Sequence, residues 1–292
     1  MIRIIPAPCA DSGVQSNGRG KKHMKTALTI AGSDPCAGAG IQADLKTFHV
    51  HGIYGLSVIT AVTVQNTQKV YDVQKILPEI VYAQITRLFE DMEIHAVKIG
   101  MIPDIPVIEA IADALRSVSC PIVLDPVMIS TSGFPLLSPD AQEVLIRKFF
   151  PLTCAVTPNI PEAEFLCGEK IENTEQMKQA ARKILETGAA NVVIKGGHLP
   201  GDYATNLAWN RSEFMELPSQ KIRGKEVHGT GCVFSSALAA NLALGRNFFN
   251  AVIHAGEYTR ECIRNALVLG KGSRLACHRE PSHCSAEYGK KH

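Results

Sequence analysis

Leu28-Thr29-Ile30-Ala31-Gly32-Ser33-Asp34-Pro35, followed after two residues by Gly38-Ala39-Gly40-Ile41-Gln42-Ala43-Asp44-Leu45-Lys46-Thr47, is the stretch from which the fold can be read. The apolar run 27–31 predicts a short strand, the Gly/Pro-rich residues after it a turn, and the spacing beyond them a helix over 40–51. The same alternation continues along the chain. Short runs rich in Val and Ile predict strands at 56–64, 96–99, 122–125, 155–157 and 192–195, and amphipathic stretches predict helices at 79–91, 104–117, 138–149, 161–167 and 173–187. Pro78-Glu79 and Ser138-Pro139-Asp140 carry helix-start chemistry. A strand pair at 204–209 and 212–217, turned at Asn210-Arg211, precedes two apolar helices at 230–244 and 248–268. Strands alternating with crossover helices give an α/β fold, three layers deep, with a mostly parallel central sheet. Such a sheet places its ligand crevice at the carboxyl ends of the strands.

The chain has 292 residues, 46% hydrophobic and 20% charged, enough apolar material for one large domain, expected over 24–270. Residues 1–23 lack periodicity and read as a disordered extension, with Met24 a second candidate start; residues 271–292 read as a polar, basic tail. Net charge is only +2, with the compact basic runs at Lys21-Lys22-His23 and Lys290-Lys291-His292, which argues against a nucleic-acid partner. Nine scattered cysteines without a CxxC pair point to a reducing, cytoplasmic location. No run has the length of a membrane span or the pattern of a signal peptide, so no membrane partner is expected.

His228-Gly229-Thr230-Gly231-Cys232, just before the apolar run 233–244, is the sharpest local signal. Two glycines around a threonine at a helix start let backbone N–H groups converge on an anion, and the helix dipole adds positive potential. The dipole would also stabilise a thiolate on Cys232, a candidate proton acceptor. Taken alone, the pattern is better described as a flexible loop followed by a small buried cysteine. Asn159-Ile160-Pro161-Glu162 reads by itself as helix capping, Lys195 as a strand-end lysine, Asp44 as a residue on the first helix and Gln65-Asn66 as turn residues.

Together with Thr60-Ala61-Val62-Thr63-Val64-Gln65-Asn66-Thr67, Lys98-Ile99-Gly100-Met101, Leu124-Asp125-Pro126-Val127-Met128, Ser130-Thr131-Ser132-Gly133, Thr157-Pro158-Asn159-Ile160-Pro161-Glu162-Ala163-Glu164 and Ile194-Lys195-Gly196-Gly197-His198, these motifs stand in the order of one family. Over residues 26–270 the chain resembles the hydroxymethylpyrimidine and phosphomethylpyrimidine kinases of thiamine biosynthesis, within the ribokinase-like superfamily. No Walker A loop is present. The resemblance implies a ribokinase-like fold, ATP and Mg²⁺ as cofactors, a small pyrimidine as acceptor, two successive phosphorylations and often a homodimer.

Carried over by position, it places Gly32, Asp44, Gln65, Met101 and Val127 around the pyrimidine. Asn159, Glu162, Lys195 and Thr230 fall at the nucleotide, with Asp125 and Glu162 holding Mg²⁺ through water. Gly229, Thr230, Gly231 and Lys195 meet the charge developing in transfer, and Cys232 accepts the hydroxyl proton in thiolate form. Many ribokinase-like relatives carry Asp where this chain has Cys232. Two departures stand out: Cys36-Ala37 in the glycine turn, where the family commonly has Ser-Gly or Gly-Gly, and the polar ending after Gly270-Lys271-Gly272-Ser273. Cys277-His278 and His283-Cys284 in that ending fit no established zinc spacing. Pyridoxal kinase activity is the nearest rival, since some relatives with the same Gly-Thr-Gly-Cys phosphorylate pyridoxal. A non-catalytic nucleotide- or pyrimidine-binding regulator is a remoter one.

Overall fold

The computed structural model describes residues 24–128, 136–222, 224 and 226–279. The motif 130–133, the N-terminal extension and residues 280–292 lie outside them. Strand β1 (Thr26–Ser33), helix α1 (Gly40–Val50), β2 (Tyr54–Gln65), β3 (Val70–Lys75), α2 (Pro78–Asp91), β4 (Ala96–Ile99), α3 (Ile105–Leu115), β5 (Ile122–Leu124), α4 (Pro139–Phe149) and β6 (Ala155–Val156) form the first part of the chain. They are followed by α5 (Ile160–Cys167), α6 (Thr174–Glu186), β7 (Asn191–Ile194), β8 (Tyr203–Trp209), β9 (Phe214–Gln220), β10 (Val227–His228), α7 (Thr230–Ala243), α8 (Phe248–Arg264) and β11 (Arg274–Leu275). Nine strands make one sheet in the order β3-β2-β1-β4-β5-β6-β7-β8-β9. The six inner strands from β2 to β7 run parallel, while β3, β8 and β9 join antiparallel at the two edges.

Alternation along the strands sorts side chains between two helical layers. Leu28, Ile30, Val97, Ile99, Ile122, Leu124, Val156, Val192 and Ile194 pack into one core with residues of α2, α3, α4 and α6. Ala27, Ala96, Val123, Ala155 and Val193 turn the other way, into a core with α7 and α8. Because that second face is lined mainly by small side chains, α7 can lie close against the sheet. Most of its residues are buried, including Ser235, Ser236 and Asn241, which explains an apolar sequence without a polar stripe.

On the same face Lys98 of β4 is fully buried and paired with Asp44 of α1, its Nζ 2.8 and 3.0 Å from the two carboxylate oxygens. The hydroxyls of Thr29 (2.6 Å) and Ser236 also donate to Asp44. These four bonds use the acceptor capacity of the carboxylate. Burial pushes the Lys98 ammonium down, but Asp44, Cys232 and Asp125 together outweigh it and hold the group above the usual lysine range.

The six predicted inner strands are present, β1 and β2 being longer than expected. The turn at Asn210-Arg211 is held by the Asn210 side chain, which accepts from the N–H groups of Ser212 and Glu213. Arg211 meanwhile donates to the carbonyls of Leu185, in the last turn of α6, and of Ala189 just beyond it. Strands β3, β10 and β11 were not anticipated.

The body does not end at 270. The Gly272 and Ser273 N–H groups bond Thr67, β11 pairs with β10, and Leu275, Ala276 and Cys277 are buried. The His278 ring lies 3.1 Å from the Tyr258 hydroxyl. Residues 271–278 therefore belong to the folded body, which corrects the boundary read from their polarity.

Two stability predictions follow from this packing. Truncation after Gly270 should lower stability by about 2–4 kcal/mol, the scale of exposing one leucine and its small buried neighbours, read as a lower denaturation midpoint. Lys98→Met leaves Asp44 charged and buried, and should cost about 3–5 kcal/mol, whereas Lys98→Met combined with Asp44→Leu should recover part of that loss in the same unfolding experiment.

Candidate active site

The carboxyl ends of β1, β2, β4, β5, β6 and β7 meet the start of α7. Gly229 sits there with φ +82°, a left-handed conformation that glycine adopts without steric cost, and a Cβ on it would lie 1.8 Å from the Gly38 carbonyl oxygen. The glycine turn after β1 thus presses directly on the loop before α7. No side chain caps α7, so its first N–H groups remain available to an anion.

One half of the site is ionic. Lys195 Nζ stands 2.7 Å from Asp125 Oδ1, and a Cβ on Gly231 would lie 3.2 Å from that ammonium and 3.4 Å from Asp125 Oδ2. Glycine at 231 therefore lets the helix backbone approach both charges. Asp125 is buried at the exit of β5 and also accepts from Thr157 and Ser235, each at 3.2 Å. Asn159 and Glu162 form a reciprocal capping box at the start of α5: the Glu162 N–H donates to Asn159 Oδ1 (2.9 Å) and the Asn159 N–H to Glu162 Oε2 (2.8 Å). The capping reading of this motif is thus correct, and it also fixes Glu162 within the field of Lys195 and Asp125.

A backbone bridge from Asn159 to Lys195 holds the β6 and β7 exits together. Burial pushes the Glu162 carboxyl up to about 7, Lys195 pulling against it and Asp125 adding to it. Burial likewise pulls the Lys195 ammonium down, but Asp125 and Glu162 together hold it above its ordinary value.

The other half is softer. Gly32 lies against Met101, where a Cβ would come within 2.9 Å of the thioether sulfur, and Thr60 donates to the Met101 carbonyl at 2.7 Å. Gln65, at the end of β2, accepts from Thr63 at 3.2 Å and places its Nε2 3.0 Å from His228 Nε2. His228 Nε2 also stands 3.1 Å from Asp34 Oδ2. Burial raises the Asp34 carboxyl, but bonds from His228, Cys36 and the Ala39 N–H outweigh it and hold the group below its usual range. Val127 is half-buried just past Asp125, its N–H bonded to the Asp125 carbonyl at 2.8 Å.

Asp44 differs from expectation. With no exposed surface and its oxygens taken by Lys98, Thr29 and Ser236, it is sealed beneath the site and offers no edge to a pyrimidine. Cys232 differs in its charge. Its sulfur meets the Gly40 N–H at the start of α1 and feels the buried Lys98, yet burial prevails, with Asp44 and Asp125 adding to it, and the thiol is pushed up to about 11. At neutral pH it rests as a thiol, so the helix dipole does not by itself produce the thiolate. Nothing local in the sequence marks Lys98 and His228 for a role, because their importance comes from partners 54 and 194 residues away.

Comparison with known proteins agrees with this architecture. The family model described as Phosphomethylpyrimidine kinase matches residues 34–276. A hydroxymethylpyrimidine/phosphomethylpyrimidine kinase from Aquifex aeolicus is 46% identical over 250 residues, covering 85% of this chain and 98% of the relative. A crystal structure of phosphomethylpyrimidine kinase from Clostridium difficile superposes with a TM-score of 0.73 at 44% identity, covering 82% of this chain and 99% of that one. The ADP complex of Bacillus subtilis pyridoxal kinase gives a TM-score of 0.81 at 33% identity, over 87% of this chain and 97% of that one. The ribokinase-like fold is thereby established, and with a match over most of its length this chain belongs to the phosphomethylpyrimidine kinase family.

Proposed function

We propose that the protein transfers the γ-phosphoryl group of ATP first to the hydroxymethyl group of 4-amino-5-hydroxymethyl-2-methylpyrimidine and then to the resulting monophosphate, giving the diphosphate used in thiamine biosynthesis. The observation that carries this reading is the position of Cys232. It lies at the meeting of the α1 and α7 N-termini, beside the Lys195–Asp125 pair, in a chain whose family match runs through the whole site.

In this reading Gly32, Gln65, Met101 and Val127 receive the pyrimidine. An amide side chain can bond the ring nitrogens or the amino group, while the thioether and the glycine backbone offer apolar contact. ATP phosphates lie against the N–H groups of Gly229, Thr230 and Gly231, with Lys195 donating to them. Asp125 and Glu162, hard oxygen donors beside Lys195 and the uncapped start of α7, would hold Mg²⁺ through water, which when bound would supply charge neutralisation on the phosphates. Asn159 orients Glu162 for that duty. Cys232 takes the proton of the attacking hydroxyl, so only its thiolate fraction is competent. Lys98, fixed by Asp44, supplies a buried positive charge that eases formation of the thiolate.

Pyridoxal is the second acceptor to consider, favoured by the higher TM-score to a pyridoxal kinase. No helix among the described residues is long and apolar enough to cross a membrane. The scattered cysteines support a cytoplasmic enzyme.

ADP release with Mg²⁺-ATP and each of hydroxymethylpyrimidine, its monophosphate and pyridoxal tests the assignment. Turnover on both pyrimidines is expected, whereas activity on pyridoxal alone reassigns the substrate. Cys232→Ala should lower kcat by about 10²–10⁴-fold, the range of a general base, without loss of nucleotide binding. With the thiol at about 11, kcat/KM for the pyrimidine should climb as pH rises through neutrality toward 9, because each step up enlarges the thiolate fraction. A profile already flat at pH 7 removes Cys232 from the role of base.

A further inference from the structure

Cys36, the departure in the glycine turn, is not absorbed by the kinase reading. Its thiol donates to Asp34 Oδ2 at 3.3 Å, and the His228 Nε2 stands 3.1 Å from that same oxygen. One sulfur, one imidazole nitrogen and one carboxylate oxygen thus lie within 4.8 Å of one another, and among the described residues this is the one place where three such donors converge.

We propose that Asp34, Cys36 and His228 form a binding site for a borderline-soft divalent cation of the Zn²⁺ type, separate from the hard-oxygen Asp125–Glu162 pair. Zinc bonds thiolate at about 2.3 Å and imidazole or carboxylate at about 2.0–2.2 Å, so tetrahedral donors around it stand roughly 3.3–3.7 Å apart. The Cys36–Asp34 separation of 3.3 Å meets the lower limit of that range and the His228–Asp34 separation of 3.1 Å falls just below it, so the donors would have to spread by a few tenths of an ångström around an ion. The mixed S/N/O donor set selects zinc-like ions over Mg²⁺, and three protein ligands leave a fourth position for water.

Asp34 is already oriented. Its Oδ2 accepts from the N–H groups of Gly38 (3.1 Å) and Ala39 (2.9 Å), and its Oδ1 from that of Cys36 (3.0 Å). Such supporting bonds hold a ligating carboxylate in place. Asp34 is buried, whereas Cys36 and His228 are only partly so, which leaves the donors a side open to an entering ion.

Binding replaces the thiol proton of Cys36 with the cation and releases it to solvent. His228 would ligate through Nε2 with a ring proton kept on Nδ1. Because the ligands come from the turn after β1 and from β10, the ion would staple segments 194 residues apart, and it binds only the folded chain.

The test uses the full-length protein, metal-free, titrated with Co²⁺ and separately with Zn²⁺. Expected are a thiolate-to-Co²⁺ charge-transfer band that saturates at one ion per chain and a melting temperature that rises with Zn²⁺. Cys36→Ser keeps a hydroxyl donor to Asp34, so its metal-free melting temperature should match the parent while its metal affinity falls by at least about 10-fold and the band disappears. The double variant Cys277→Ser/Cys284→Ser should retain both band and shift. The proposal is overturned if the parent shows no band, if Cys36→Ser retains it, or if the C-terminal double variant loses it. His228→Gln gives a second reading: retention of parental affinity in that variant removes the imidazole from the site and overturns the proposal as well.

Discussion

A lysine and an aspartate buried together, with water excluded, govern how the layers of this protein meet. Removing two charges from water costs several kcal/mol each, and their attraction offsets it only when geometry is good and the remaining lone pairs are used. Here Lys98 of β4 meets Asp44 of α1, while Thr29 of β1 and Ser236 of α7 complete the carboxylate. Four elements are therefore bound to one another by groups that cannot be left unpaired. An apolar core of the same volume would hold the layers together equally well. It would not dictate that the N-termini of α1 and α7 arrive at the same point, and the site depends on that arrival.

From that junction the division of the site follows. On one side the exits of β5, β6 and β7 bring Asp125, Glu162 and Lys195 into a single ionic group. On the other, the exits of β1, β2 and β4 present Gly32, Gln65 and Met101. Cys232 lies between them, above Lys98. Its thiol illustrates how opposing effects are decided by magnitude: a buried ammonium and a backbone N–H favour the thiolate, burial and two carboxylates oppose it, and burial is the largest. The burial and the carboxylates that surround the sulfur thus also keep it neutral at rest.

The alternating pattern made the six inner strands and most helices legible, because each is specified by its own periodicity. The glycine and cysteine of the loop before α7 could be read for the same reason, since helix-start chemistry is local. Strand β3 is hard to read because an edge strand exposed along most of its length carries a mixed pattern, Val70-Tyr71-Asp72-Val73-Gln74-Lys75, beside a polar turn. Strands β10 and β11 have two residues each and exist through pairing across the chain. Asp44 looked like a ligand to the substrate because sequence shows the residue type but not the lysine 54 positions away that occupies it. The polar letters of 271–278 likewise concealed Leu275, Ala276 and Cys277, which find their burial only against distant partners.

The packing of Leu275 bears on the order in which the molecule can be made. Gly38 is enclosed by His228 and Leu275, where an added Cβ would fall 2.6 and 2.7 Å from their side chains, and Thr67 is covered by Gly272. The first turn of the domain is therefore finished by nearly the last residues of its body. On a ribosome adding about 5–20 residues per second, Leu275 follows Gly38 by roughly 10–50 s. During that interval β1, α1 and β2 can pair with one another while their carboxyl ends remain uncovered. The nascent chain can assemble its sheet early, but the turn after β1 gains its cover from Leu275 only once synthesis has passed β11, so an interrupted product would carry the sheet with that turn exposed.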